Sequence, residues 1–352
     1  MARMSKRERV LRTINFQETD RVPLYDIFQN DALIEHFAGE KLTVEDGARI
    51  TCKAVGRCLD MTRMVNGPHA LSVERRPDGI VMQHERWQGW IVERPFHDVP
   101  TAIEWIKGDI QRYNALRFDA AYVQALHDYF RQRQAQFGDD TVLIHESGVG
   151  LEHMFHLIGL GLFSYLLADM PDLILEWLEA RWRAEMRRVQ AIADPQLLPL
   201  VLPYTDIAYK TGTIFSPRWL REHWLPLLKE LVAAWHERGA KCIFHSDGNL
   251  WGVMDDLVAA GIDGINPIEV AAGMSVKALR EKYPRLCLTG GVDVSQLLPL
   301  GTPEEVREAC RANIAATRGI GYFLGSSTEL HWEIPLPNII AMFECAWETE
   351  RK

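Results

Sequence analysis

The stretch Lys241-Cys242-Ile243-Phe244-His245-Ser246-Asp247-Gly248-Asn249 brings together residue types that move protons or bind metals. A short apolar run ends in a histidine, an aspartate follows two residues later, and a glycine turns the chain. The pattern predicts a buried β-strand that delivers two titratable side chains to its C-terminal tip. In parallel α/β barrels the chemistry sits at such tips. Side chains alternate along a strand, so Lys241, Ile243 and His245 share one face and Cys242 and Phe244 the other. With His245 in the mouth of the fold, Cys242 points outward to pack against helices.

Seven more apolar runs read as strands: 22–28, 59–65, 141–144, 198–202, 264–265, 286–288 and 322–324. Polar groups follow almost every run. In chain order they are Asp26 and Gln29; Asn66; His145, Glu146 and Ser147; Tyr204, Thr205 and Asp206; His245 and Asp247; Asn266 and Glu269; Gly290, Gly291 and Asp293; Ser326, Ser327, Glu329 and His331. Loops are polar anyway, and each group taken singly is more often structural. Asp293 is also a helix-cap candidate, and Asn266-Pro267 a turn initiator. The argument for a site is that all eight tips would ring one cavity.

Several carboxylates and a histidine in one partly desolvated cavity shift one another's pKa values, which suits general acid/base work or a divalent metal. His245, Asp247, Glu269 and Asp206 are the expected catalytic groups. Asp26, Gln29, Glu146, Tyr204, Asn266, Asp293, Ser327 and His331 are expected to line the substrate. A hard N/O metal site would use His245, Asp247 and Glu329. A thiolate zinc site would show His-x-Cys and a distant cysteine. Here Asp247 stands at the second position, and no cysteine falls near the last tip. Neither G-x-S-x-G nor a phosphate-binding P-loop occurs.

The elements that must position these residues are marked clearly. Ser5-Lys6-Arg7-Glu8 reads as a capping box, and Thr302-Pro303-Glu304-Glu305 as another with proline at the first helical position. Ser216-Pro217 opens a third helix, and Gly239 and Gly319 sit where C-terminal caps belong. Strands alternating with helices predict a parallel sheet, and eight of them predict a (β/α)8 TIM barrel. The open doubly wound sheet is the alternative, weakened because no G-x-G-x-x-G follows the first strand. Residues 71–95 break the rhythm and read as a β-hairpin around Pro77-Asp78-Gly79, an excursion after strand two. The whole chain, 1–352, reads as one domain, with an excursion at about 67–140 covering part of the mouth. Trp87 and Trp90 of that excursion are read as rim packing in preference to substrate contacts.

The chain has 352 residues, 47% of them hydrophobic, and a net charge of −9. That balance argues against nucleic acid or an anionic membrane as partner. No apolar run reaches the roughly 18 residues of a membrane span, and the basic start has no apolar segment behind it. Six scattered cysteines read as reduced thiols of a cytoplasmic protein.

Several motifs together carry a resemblance. They are Lys6-Arg7-Glu8-Arg9-Val10-Leu11, Thr19-Asp20-Arg21-Val22-Pro23, Ser216-Pro217, His245-Ser246-Asp247-Gly248, Asn266-Pro267-Ile268-Glu269, Gly290-Gly291-Val292-Asp293, Gly301-Thr302-Pro303-Glu304-Glu305-Val306 and Pro335-Leu336-Pro337-Asn338-Ile339. In this order, along the whole chain, they resemble the uroporphyrinogen decarboxylase superfamily. The resemblance implies a (β/α)8 barrel and a homodimer. It also implies one of two activities: decarboxylation of a tetrapyrrole, or methyl transfer to or from a corrinoid protein. The decarboxylases carry an arginine pair after strand one, where this chain has Asp26-Ile27-Phe28-Gln29-Asn30-Asp31. The zinc-thiolate methyltransferases carry His-x-Cys…Cys; this chain keeps His245 but has Asp247 and the Ser327/Thr328 region at the cysteine positions. The expected activity is therefore O-demethylation of a small methoxylated aromatic, with the methyl group passed to the corrinoid (cobalamin) of a partner protein and zinc as a second cofactor. Tetrapyrrole decarboxylation and a non-catalytic corrinoid- or carrier-binding barrel are the alternatives.

Overall fold

The computed structural model describes residues 3–138, 140–148 and 150–350. Its organising feature is a run of parallel strand pairings. Met61–Thr62 pairs with Val142–Leu143, and His145–Ser147 pairs with Leu200–Pro203. Lys241–His245, Gly264–Asn266, Cys287–Thr289 and Tyr322–Phe323 follow in that order, each parallel to its neighbour. Parallel bridges join Tyr25 to Met61 and Leu24 to Leu324, so the pairings return to the first apolar run. All eight apolar runs take part.

Two packing layers follow from strand alternation. Tyr25, Met61, Val142, Ile144, Leu200, Leu202, Ile243, Cys287 and Phe323 pack together, joined by Val10 and Ile14 of the Lys6–Ile14 helix. The opposite strand faces, Cys242 and Phe244 among them, pack with the helices in the main core. Ile243 is thus inside and Cys242 outside, as the alternation predicts. Thr302 and Glu305 form a reciprocal capping box ahead of the Pro303–Thr317 helix.

The excursion differs from a simple hairpin. Ser72–Arg75, Val81–His84 and Gly89–Glu93 form a three-stranded antiparallel sheet. Gly79, at φ +85°, makes the first turn in a region that favours glycine. Two helices follow, Val99–Ala115 and Ala120–Phe137. Trp87 is buried and donates to Asp31 Oδ1 at 3.0 Å, whereas Trp90 is 41% exposed. Among the described residues, no single helix is long and apolar enough to cross a membrane.

At the N-terminal ends of the strands a buried ion network ties the first helix to the sheet. Arg9 grips Asp20 through Nε at 2.6 Å and Nη2 at 2.7 Å, and Asp60 through Nη1 at 2.5 Å. Burial alone would raise the Asp20 carboxyl, but Arg9 and the amides of Met4 and Arg21 hold it down at about 2. An unfolded aspartate titrates near ~3.9, so the folded state favours the ionised form. Stability from this group is full above about pH 4 and falls as pH drops toward 2, by about 2–3 kcal/mol. Denaturant midpoints between pH 5 and pH 2 should show that loss, and Asp20→Asn should remove this part of it. An Asp20→Asn protein with an unchanged acid limb would refute the assignment.

Candidate active site

The C-terminal strand tips hold a compact titratable cluster. Lys241–His245 ends with His245 only 2% exposed. Its Nδ1 lies 2.8 Å from Asn266 Oδ1 on the next strand. That oxygen only accepts, so Nδ1 carries the proton and Nε2 keeps its lone pair. Nε2 lies 3.7 Å from Asp206 Oδ1. The Asp247 amide donates to the same Asp206 oxygen at 2.8 Å. Asp247 Oδ1 is buried with no hydrogen-bond partner among the described residues. One ligand atom from each of Asp206, His245 and Asp247 lies within 4.8 Å of the others.

The electrostatics follow from this crowding. Burial, then the charges of Asp206 and Glu269, push the Asp247 carboxyl up to about 8. Burial also raises Asp206. Burial and then Arg63 lower His245 well below its usual range, so it is a neutral imidazole. Acids crowded in this way are relieved by a proton or by a cation. Glu269 Oε2 accepts from the Gly248 amide at 2.7 Å, which fixes the turn after Asp247. A cleft of ≈ 510 Å³ opens over Asp206, Asp247 and Glu269, with Arg94, His156 and Tyr209 also in its wall.

Tyr204 joins this centre: its ring stacks on His245 at 4.8 Å and its hydroxyl donates to Glu152 Oε1 at 3.2 Å. Glu152, from the Leu151–Ile158 helix, also accepts from the Asp206 amide, and burial and then Asp206 raise it to about 7. Glu146 turns inward between His145 and Ser147 and comes within 3.8 Å of Arg63 Nε. His145 and Ser147 face the helices instead, His145 against Phe130 and Trp235, Ser147 on Trp235 and Glu185. Gln29 lies at the tip of the short Phe28–Gln29 ladder with its Oε1 buried and unpaired.

Other expected site residues have polar atoms engaged within the fold. Asp293 accepts from the amides of Ser295, Gln296 and Leu297 and so starts a helical turn. Ser327 Oγ accepts from the Val294 amide. His331 is used on Val294 O and the Glu333 amide. Asp26 accepts from Ser326 N and Ser326 Oγ, both at 2.8 Å, and from the Ile27 amide, stitching the first tip to the last. Glu329 is not in the compact cluster; it accepts from Thr328 Oγ1 and is felt at Asp247 only as a more distant charge. Asp206 takes its place beside His245 and Asp247. Asn66 is exposed.

Arg63 and Glu152 are the groups nearest the Tyr204–His245 stack that the sequence reading missed. Arg63 sits inside the apolar run 59–65, and a lone cation in such a run was the available signal. Glu152 comes from a helix, where no strand-tip pattern points to it.

Residues 181–349 match the family model of uroporphyrinogen decarboxylase. The search of curated proteins gave no match. Among solved structures, a methyltransferase from Methanosarcina mazei superposes with a TM-score of 0.71, covering 98% of this chain and 99% of its own, at 15% identity. At that identity the likeness concerns the fold. A xylose isomerase domain protein from Alicyclobacillus acidocaldarius subsp. acidocaldarius, also 15% identical, reaches a TM-score of 0.34 over 72% of this chain and 94% of its own. Residues 181–349 thus carry the sequence pattern of the uroporphyrinogen decarboxylase family, and the chain as a whole shares an α/β fold with a parallel sheet with the Methanosarcina mazei methyltransferase.

Proposed function

We propose that this protein is a corrinoid-linked methyltransferase. It takes the methyl group of a small methoxylated aromatic and passes it to a cobalamin protein of the cytoplasm. We read the circuit of parallel strands as a (β/α)8 barrel that presents one mouth to the substrate and to the docking corrinoid domain. The observation that carries the reading is the Asp206–His245–Asp247 cluster, with an unpaired Asp247 oxygen and a neutral His245 whose Nε2 lone pair is free.

The reaction breaks the C–O bond of an aryl methyl ether. Its electron pair stays on oxygen, which leaves as the phenol after gaining a proton. A cobalt(I) corrinoid supplies the nucleophile, so the enzyme has to activate the leaving group. The cluster's N/O donor set fits a divalent cation such as zinc, which would act there as a Lewis acid on the ether oxygen. Asn266 fixes the His245 tautomer, in the manner of an outer-shell partner. The Asp247 amide orients Asp206, and Glu269 holds the turn that follows Asp247. Tyr204, stacked on His245, forms an apolar wall that excludes water from the reacting carbon.

Incubation with isotopically methyl-labelled methoxyaromatics and a reduced corrinoid protein should move label onto the corrinoid. No transfer across a panel of methoxylated aromatics would sink the proposal. Release of carbon dioxide from uroporphyrinogen would identify a decarboxylase in its place.

A further inference from the structure

Arg63 lies just past the Met61–Thr62 strand, two residues beyond Met61. Met61 packs in the inner layer, so alternation turns Arg63 to the same side. Its side chain is 10% exposed. Nε and Nη1 are both buried and make no hydrogen bond among the described residues. The guanidinium lies 5.2 Å from the centre of the Tyr204 ring, and that ring stacks on His245. Among the described residues its one acidic neighbour in contact, Glu146, stays at 3.8 Å, beyond hydrogen-bond reach, and is 44% exposed.

Burying a cation's N–H groups without acceptors is costly, and native structures rarely leave them so. A tight ligand for such a group is an anion, which only accepts. We infer that Arg63 anchors an anionic substituent of the substrate beside the His245 cluster, so that the methyl donor is a methoxylated aromatic carboxylate. The inference rests on the methyl-transfer reading for the methoxy group but not for the anion. The stacked Tyr204 and His245 rings offer an aromatic wall beside the anchor. Glu146, nearly half in solvent, is free to swing toward water as the carboxylate enters.

Binding can be read without any corrinoid. The probes are the three isomeric methoxybenzoates and their neutral methoxybenzamides, titrated calorimetrically into the full-length protein. The wild type should bind at least one acid about tenfold or more tighter than its amide. Arg63→Met should abolish that preference, and Arg63→Lys should retain part of it. Equal affinity of the wild type for acid and amide, or no binding of any acid, overturns the inference without needing a variant. So does a preference unchanged in Arg63→Met. Acid preference with no methyl transfer to the corrinoid leaves the anchor standing and overturns the methyltransferase reading. Transfer from neutral methoxyarenes without acid preference does the reverse.

Discussion

His245→Ala is expected to lower methyl transfer by a factor of about 10³ or more and to weaken binding of the divalent cation proposed for the cluster. The expectation follows from the placement of Nε2. It is the single nitrogen donor of the cluster and sits between the Asp206 carboxylate and the Tyr204 ring. Proton transfer by a positioned side chain typically accounts for about 10²–10⁴ in rate. Without the imidazole, the remaining donors are carboxylates, which hold zinc less well than a mixed nitrogen–oxygen set. The variant should still fold, because His245 is neutral and its loss strands only one accepting oxygen, on Asn266, that Tyr25 also approaches at 3.3 Å. Labelled-methyl transfer rates, metal content and a thermal melt, measured together, separate the outcomes. A folded His245→Ala protein with activity within about tenfold of wild type would refute the role of His245, because general acid–base contributions smaller than that lie outside the usual range. Asn266→Ala tests the same geometry more gently; an outer-shell partner of a metal-bound histidine contributes about 10–100-fold in affinity.

The limits of reading this site from sequence have physical causes. The phase of Lys241–His245 was legible because a buried strand alternates strictly, and Ile243 and Cys242 lie on opposite layers as a result. A short polar residue after a strand is ambiguous, however, because ligands and caps are chemically alike. Asp293 and Asp247 both follow a strand within an acidic, glycine-containing turn, yet Asp293 uses its oxygens on three backbone amides while Asp247 leaves one unpaired. Only tertiary placement tells the two apart. Arg63 was hidden by a different effect. It lies within the run 59–65, whose apolar neighbours drew attention to the strand and not to the cation it delivers. Glu152 reaches the site from a helix, and its contacts with Tyr204 and the Asp206 amide bridge more than fifty positions of sequence. The motif around Thr19-Asp20-Arg21 carries the family resemblance but lies away from the titratable cluster. It builds the ion network at the opposite ends of the strands.

That network sets the second large expectation: Asp60→Ala should destabilise the fold by about 3–5 kcal/mol while leaving ligand affinity at the mouth unchanged. Asp60 is fully buried and uses both carboxylate oxygens. Oδ1 accepts from Arg9 Nη1 at 2.5 Å and Arg21 Nη2 at 3.0 Å; Oδ2 accepts from Arg21 Nη1 and the Leu24 amide, both at 2.8 Å. Deleting the carboxylate leaves Arg9 with Asp20 and the Met4 carbonyl, leaves Arg21 with the Val22 carbonyl in place of an acid, and strands the Leu24 amide. Breaking a buried pair from one side is costly because the uncompensated charge stays in place. The Leu24 amide belongs to the first apolar run, which closes the circuit of strands through Leu24 and Leu324. The loss should therefore be cooperative across the sheet and not confined to the first helix. Guanidinium denaturation should show a lower midpoint with an unchanged slope. A change under about 1 kcal/mol would mean that Arg21 relaxes into solvent, as an exposed ion pair would allow. Asp60 stands at the start of its strand and Arg63 just past the end, so one short segment supplies both the base of the fold and, at its other end, the anchor at the mouth.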